Sequence, residues 1–333
     1  MDNKIPLLPV IPDGLRIAAN TGKLVPFVGA GVSVLGGCPG WADFATETLR
    51  YFVKKEKISP AQLDQLSHVS PRVKLAIANA LEKEHGISVD FADLLRPKPG
   101  DKKDAGDRIY AGLAKLGSTF VTTNYDDWLD TMPSSMDASR NLPSGPELNS
   151  PHNSRDVVYR LADFNLKKLS SPNTVLHIHG SVRDRTSMVL TTSDYLKRYK
   201  GHRLSGDERR ENHFLTFLEM LFRQKCVLFV GYGLEELEIL EYVLQKSRYD
   251  IQSSSEVTRH YILQGFFSHQ VELMRSLELY YRNECGITLI PFSRDVKDWN
   301  QLIDVVEYLG KQIPVGSLLN LQERLEMQRL LDE

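Results

Sequence analysis

The chain has 333 residues, of which 41% are hydrophobic and 25% charged, and its 41 basic and 43 acidic side chains give a formal charge of −2. This balance provides no overall attraction to nucleic acid or membranes, and the length favours one α/β domain with a large insertion, or two domains. The three cysteines are far apart, which excludes a four-cysteine zinc site and fits a reducing compartment. Without a signal peptide pattern or an apolar run that spans a bilayer, we expect a soluble cytoplasmic protein.

Seven short runs rich in β-branched and aromatic residues are typical of strands buried on both faces of a parallel sheet. Helical patterns at 41–55 and 234–246 separate some of them, and this alternation predicts a doubly wound, mostly parallel, Rossmann-like α/β fold. Pro26 lies inside the first run and marks either a strand start or an irregularity, because proline lacks the N–H of a ladder hydrogen bond. The runs are Leu24–Val28, Thr119–Thr123, Thr174–Ile178, Met188–Thr191, Cys226–Val230, His260–Leu263 and Ile287–Ile290.

Three stretches interrupt this alternation and predict insertions that form a smaller lid subdomain beside the sheet. Residues 56–118 have helical patterns, residues 132–173 are rich in Ser, Pro, Asn and Asp, and residues 197–215 form a basic, exposed loop. We expect residues 1–316 to be one domain with these insertions. A short amphipathic helix is expected at 317–333, where leucines recur at helical spacing.

The first motif is a predicted strand that runs into two glycines, Phe27-Val28-Gly29-Ala30-Gly31-Val32-Ser33. Glycine there would let the backbone approach a pyrophosphate, and the following helix would supply N–H donors at its N-terminus. The third glycine of the GxGxxG fingerprint is missing, since residue 34 is valine. The alternative interpretation is a tight strand-to-helix turn without a ligand.

The other motifs also follow predicted strands, where parallel α/β folds place their ligands. In Thr122-Thr123-Asn124-Tyr125-Asp126, the polar side chains are candidates for ligand contacts or for helix N-caps. His177-Ile178-His179-Gly180 has the spacing of a metal-binding pair but no third ligand in sequence, and His177 by itself is interpreted as structural or supporting. Leu228-Phe229-Val230-Gly231-Tyr232-Gly233-Leu234 is a second strand that ends in glycines.

The order of the four motifs resembles that of the sirtuin family, and more closely that of the divergent sirtuin-like domains of bacterial anti-phage defence proteins. The resemblance covers residues 24–44, 118–130, 174–195 and 225–240. It implies that residues 1–316 are an NAD-binding catalytic domain. It further implies that the first turn holds the NAD⁺ phosphates and the last turn the adenosine half, although Gly233 replaces a serine of the family. The residues implied are Gly29, Ala30, Gly31, Ser33, Gly231, Gly233 and Leu234.

The resemblance also assigns roles to the two polar motifs. It places Asn124 and Asp126 beside the nicotinamide ribose and makes His179, which precedes Gly180, the catalytic histidine. Asn124 would orient water at the anomeric carbon, and His179 would accept a proton from water or from a ribose hydroxyl. Asp126 would bind ribose hydroxyls or stabilise the developing cation.

Two departures from deacylating sirtuins favour NAD⁺ hydrolysis to nicotinamide and ADP-ribose over protein deacylation. The four-cysteine zinc ribbon is missing, so we expect no metal requirement, and residues 37–44 follow the GIPDFR segment only loosely. Family precedent implies an effector of anti-phage immunity that depletes NAD⁺, as a homo-oligomer or with a HerA-type ATPase. The alternatives are a module that senses NAD⁺ or ADP-ribose without turnover, and a nucleic-acid-directed activity that uses the basic stretch 197–210.

Overall fold

The computed structural model describes residues 4–97, 102–132, 155–199, 212–233 and 260–313. Seven strands in these residues form one sheet in the order β3-β4-β2-β1-β5-β6-β7, and every pairing in it is parallel. The strands are β1 (Leu24–Val28), β2 (Thr119–Thr122), β3 (Asp156–Val158), β4 (Thr174–His177), β5 (Cys226–Val230), β6 (His260–Phe266) and β7 (Ile287–Ser293).

Helices cover both faces of this sheet, which confirms the predicted doubly wound α/β class. In β1, Leu24 and Val28 join one apolar cluster, whereas Val25 and Phe27 join another, as the alternation of a strand requires. The first cluster packs against α1 (Asp13–Asn20), α7 (Lys103–Ala114) and α12 (Gln301–Gln312); the second packs against α10 (His213–Gln224) and α11 (Val271–Tyr280). Helix α2 (Ala30–Leu35) follows β1 directly, and α8 (Trp128–Thr131) lies shortly after β2.

A third apolar cluster is formed by helices that precede β2 in the chain. It includes side chains of α3 (Trp41–Lys54), α5 (Pro71–His85) and α6 (Phe91–Leu95), with α4 (Pro60–Gln65) packed at its border. Tyr125, which follows β2, belongs to the same cluster, so these helices lie at the carboxyl edge of the sheet. Proline at the first position of α5 and Gly86 at its end, with a φ of 63°, set the limits of that helix.

Six of the seven predicted strands are confirmed, and the strand predicted at Met188–Thr191 is wrong. That segment joins no ladder of the sheet; its Val189 N–H donates to the carbonyl oxygen of His179 at 2.8 Å. Its apolar character arises because Met188 and Leu190 pack into the third cluster. Conversely, β3 lies in a stretch for which loops were expected, because a three-residue edge strand with an exposed first residue carries no apolar pattern.

Pro26 is the irregularity that the sequence suggested, and it is not a strand start. It is the third of five β1 residues and pairs in register with Leu228 of β5. On the other side, the β1–β2 register begins only at Phe27, and the Pro26 ring faces Gly117, whose added Cβ would lie 2.7 Å from Cδ of Pro26. The missing N–H therefore faces the turn before β2, where no ladder partner is required.

Three predicted features lie outside the described residues. They are the helical pattern at 234–246, the C-terminal helix at 317–333 and most of the basic stretch 197–210, of which the described part ends α9 (Thr192–Tyr199). Among the described helices, none combines the length and apolar character needed to cross a bilayer.

Candidate active site

The two glycine-bearing turns meet at the carboxyl ends of β1 and β5. These strands are neighbours at the middle of the sheet. The strands β2, β3 and β4 lie on one side of this pair, and β6 and β7 lie on the other. The N–H of Gly29 donates to the carbonyl oxygen of Val230, and that of Gly31 to the carbonyl oxygen of Gly231, both at 2.9 Å. In doubly wound sheets a ligand crevice forms at this switch in strand order.

Packing between the two turns explains why glycine occupies them. A Cβ added to Gly29 would lie 2.6 Å from the carbonyl oxygen of Gly231, and one added to Gly31 would lie 2.9 Å from the same atom. Gly231 itself has a φ of 68°, which other residues rarely adopt. The glycines are thus required by the contact between the turns, and the nucleotide contacts expected of them stay a prediction.

Gly31→Ala is therefore expected to lower the free energy of unfolding by about 1–3 kcal/mol, because the new methyl group would press on the backbone of Gly231. Gly233→Ala is a matched control, since an added Cβ there meets nothing within 4 Å. Urea unfolding of both variants and the parent chain checks this. Equal stability of the two variants would contradict the packing explanation.

A buried polar cluster connects the first turn with the segment after β2. Nδ2 of Asn124 donates to the carbonyl oxygen of Gly29 at 3.0 Å and to Oγ of Ser33 at 2.8 Å. Oγ of Ser33 in turn donates to Oδ2 of Asp126 at 2.6 Å and lies 3.2 Å from the hydroxyl of Tyr110. Because a carbonyl oxygen only accepts, the contact with Gly29 fixes the amide orientation. Oδ1 of Asn124 then has no hydrogen-bond donor among the described residues and remains available to a ligand.

Asp126 lies just before α8 but is not its N-cap, which is Asp127. Its Oδ1 accepts the N–H of Trp128 at 3.3 Å while Oδ2 faces Ser33, and the ligand contact expected of it stays a prediction. Burial raises the pKa of Asp126, although the hydrogen bond from Ser33 acts in the opposite direction. Burial and then the nearby Asp126 charge raise the pKa of the Cys38 thiol to about 12. Cys38 is therefore a neutral thiol and not an activated nucleophile.

His179 lies two residues beyond the end of β4, and Gly180 allows the sharp turn that follows it. Gly180 has a φ of 87°, and an added Cβ would lie 2.2 Å from the carbonyl oxygen of Ser187. Nε2 of His179 is 2.8 Å from the hydroxyl of Tyr199, and its ring packs edge-on against Tyr195 with centroids 5.2 Å apart. Burial, together with the positive charges of two arginines, lowers the pKa of His179 to about 3. The imidazole is therefore neutral near pH 7 and keeps a ring-nitrogen lone pair, but a pKa this low makes it a weak proton acceptor.

His177 has a different environment from its neighbour in the motif. Its Nδ1 donates to the backbone carbonyl oxygen of Asn124 and its Nε2 to Oδ1 of Asp130, each at 2.8 Å. Oδ2 of Asp130 forms an ion pair with Nε of Arg183 at 3.0 Å. Burial alone would lower the pKa of His177, but the hydrogen bond and charge of Asp130 outweigh it and raise the pKa. His177 thus holds the Asn124 backbone in place.

The arrangement of His177 also bears on the metal alternative. Both of its nitrogens are used by Asn124 and Asp130, so neither is available to a metal ion in this conformation. Within the described ranges, no group of three or more His, Cys, Asp and Glu residues could hold a metal ion.

One cavity of about 780 Å³ brings six of the predicted residues together: Ala30, Ser33, Asn124, Asp126, His179 and Gly233. Gly29, Gly31 and Gly231 lie behind its wall, where they pack the turns together. Leu234 lies outside the described residues. Sequence reasoning missed the residues that the helices contribute to the wall, among them Trp41, Ser70, Arg72 and Tyr195. The only signal in that region was the Ser70-Pro71 break, which marks a helix start without showing which side chain faces the site.

The parallel sheet, with polar and glycine-bearing turns around a cavity at its carboxyl edge, defines a Rossmann-like α/β protein. A family model described as SIR2-like domain matches residues 118–290, which is just over half of the chain. The chain therefore belongs to the SIR2-like domain family, and the resemblance noted in its motifs is confirmed.

The chain is also similar to Defense-associated sirtuin 2 of Bacillus subtilis. The two are 26% identical over 228 residues, a match that covers 67% of this chain and 19% of the relative. The chain thus spans about a fifth of the length of the curated relative that it matches.

Proposed function

We propose that this chain hydrolyses NAD⁺ to nicotinamide and ADP-ribose and that it acts in anti-phage defence. Membership of the SIR2-like family supports an NAD-dependent enzyme, and the similarity to a defense-associated sirtuin supports a defence role. One observation supports the proposed hydrolytic activity. A fixed amide, Asn124, and a neutral imidazole, His179, line the same cavity.

The proposed reaction requires the protein to position the water and the ribose and to provide a proton acceptor. Nicotinamide leaves with the electron pair of its bond to the ribose as a neutral molecule, so it needs no general acid. In the proposed reaction, Oδ1 of Asn124 orients a water molecule at the anomeric carbon. If Nε2–H of His179 donates to Tyr199, the Nδ1 lone pair accepts the proton that the attacking water loses. Asp126 binds ribose hydroxyls or stabilises the cation-like ribose.

The test is direct. The purified chain is incubated with NAD⁺, and nicotinamide and ADP-ribose are quantified by liquid chromatography at several times. We expect the two products in equal amounts. Tight binding of NAD⁺ or ADP-ribose without nicotinamide release would overturn the hydrolase and support the alternative, a sensing module.

The neutral state of His179 predicts an unusual pH profile. An ordinary histidine loses its lone pair as the pH falls through about 6.5, whereas the pKa of His179 is lowered to about 3. We expect kcat/KM to show no acid limb near pH 6.5 while the protein stays folded. Circular dichroism at each pH verifies folding, and a midpoint near 6.5 in folded protein would contradict this assignment.

The same pKa shift has a consequence for stability, and its sign can be worked out. Between the two pKa values, the unfolded chain binds a proton at residue 179 that the folded chain does not bind. The contribution of His179 to the free energy of unfolding therefore rises with pH over this window and falls as the pH drops from about 6.5 towards 3.

Assembly is part of the same proposal. Residues 1–316 are proposed as one catalytic domain with its insertions as a lid, acting as a homo-oligomer or with a HerA-type ATPase. Mass photometry of the chain alone, and of the chain mixed with such an ATPase, checks this. A monomer that forms no complex and still cleaves NAD⁺ would leave the activity standing and remove the assembly from the proposal.

A further inference from the structure

Arg72 lies in the first turn of α5 and lines the cavity opposite the glycine-bearing turns. Its guanidinium carbon is 4.2 Å from the centroid of the Tyr195 ring, and that ring packs edge-on against His179. A single aromatic ring therefore separates a permanent positive charge from the candidate proton acceptor. At this distance the guanidinium forms a cation–π interaction with Tyr195.

Within the described part of the chain, no acidic side chain forms an ion pair with Arg72. Most arginines of the described segments form an ion pair with a carboxylate, as Arg50 does with Glu47, but Arg72 has no such partner among the described residues. It is only partly exposed, so water replaces a partner incompletely. As a residue of the cavity wall, Arg72 therefore offers N–H donors and a positive charge that no described carboxylate neutralises.

The surroundings make this end of the cavity positive. The buried Arg198 adds a second charge, which like that of Arg72 acts on His179 and lowers its pKa. Nη2 of Arg198 donates to the carbonyl oxygen of Ser187 at 2.6 Å, whereas its Nη1 is buried without a hydrogen-bond partner among the described residues. The acidic side chain on the described cavity wall, Asp126, belongs to the polar cluster around Ser33. Of the two arginines, Arg72 is the one on the cavity wall.

We propose that Arg72 binds a phosphate group of the dinucleotide that occupies this cavity. This rests on the proposed function, in which that dinucleotide is NAD⁺. The planar fork of a guanidinium matches two phosphate oxygens at once, and such charge-assisted pairs are stronger than neutral hydrogen bonds. The diphosphate of NAD⁺ and the 2′-phosphate of NADP⁺ offer the same chemistry, and the experiment separates them.

The competing explanation is that Arg72 only joins α5 to α9 by stacking on Tyr195. That role predicts a loss of stability on substitution, with the same effect on ligands that carry a phosphate and on ligands that do not. Phosphate binding predicts an effect on phosphate-bearing ligands alone.

The test is isothermal titration of the full chain with ADP-ribose, with ADP-ribose 2′-phosphate and with adenosine, which has no phosphate. Arg72→Gln is expected to weaken ADP-ribose binding about ten- to a hundred-fold, and Arg72→Lys less, because it keeps the charge but not the fork. Arg50→Gln, the same change at an exposed position of α3, is expected to leave binding unchanged. Thermal unfolding of each variant verifies that it is folded.

Each outcome decides the proposal. Weaker binding of both phosphate-bearing ligands assigns Arg72 to the diphosphate, and weaker binding of the 2′-phosphate ligand alone assigns it to the 2′-phosphate. Unchanged affinities in folded Arg72→Gln, an equal loss for adenosine, or no binding of ADP-ribose to the parent chain would overturn it. Nicotinamide release is measured in parallel. If Arg72→Gln weakens binding of the phosphate-bearing ligands but the parent chain cleaves no NAD⁺, the role of Arg72 is supported and the proposed hydrolase is overturned. If NAD⁺ is cleaved and Arg72→Gln leaves KM unchanged, the hydrolase is supported and the role of Arg72 is overturned.

Discussion

Asn124→Ala is expected to lower the single-turnover rate of nicotinamide release by about a hundred- to a thousand-fold. The substitution removes Oδ1, the atom proposed to orient the attacking water. ADP-ribose affinity, measured on the same protein, is expected to change far less, because the proposed role concerns the reaction and not the binding of the nucleotide.

The substitution also has a structural cost that the sequence alone did not predict. Nδ2 of Asn124 donates to Gly29 and Ser33, so its loss removes two buried hydrogen bonds and lowers the free energy of unfolding by about 1–3 kcal/mol. Asn165→Ala is the matched control, an exposed asparagine that bonds only locally to the Asp163 carbonyl. A folded Asn124→Ala protein with the parent rate would refute the proposed mechanism.

His177→Ala is expected to lower the free energy of unfolding by about 3–5 kcal/mol, since it leaves a buried carboxylate without its main partner. The side chains of His177 and Asp130 are both fully buried and lie 2.8 Å apart. From the sequence, His177 was interpreted as structural or supporting. The pair with Asp130 and the bond to the Asn124 backbone are contacts of that kind.

A double-mutant cycle separates this pair from simple loss of packing. His177→Ala, Asp130→Ala and the double variant are compared by urea unfolding, with the exposed His269→Ala as a control for the substitution itself. We expect the double variant to be more stable than the sum of the single losses predicts. Additive losses would show that the two side chains contribute independently.

The strands could be predicted because burial on both faces imposes continuous apolar runs, and the order of the four motifs could be read directly. The failures have equally physical causes. At Met188–Thr191 the apolar residues pack against helices instead of the sheet, and β3 is too short and too exposed at its start to have a pattern.

Within the site, the sequence could identify residues that follow strands but not those that helices contribute. The bond between Ser33 and Asp126 joins residues 93 positions apart, and nothing local indicates it. Arg72 and Tyr195 face the cavity only because of how α5 and α9 pack. No pattern within either helix distinguishes these side chains from other exposed arginines and tyrosines.

The strand order has a consequence for how the protein is made. Strand β1 lies in the middle of the sheet, with two register pairs to β2 but five to β5, which is about two hundred residues later in the chain. During translation, the contacts between the first glycine turn and the turn around Gly231 therefore cannot form until Gly231 has been synthesised. A nascent chain that ends before the Gly231 turn cannot complete the cavity. Ribosomes that stall before β5 thus produce fragments with an open sheet edge, which can pair with other chains and aggregate.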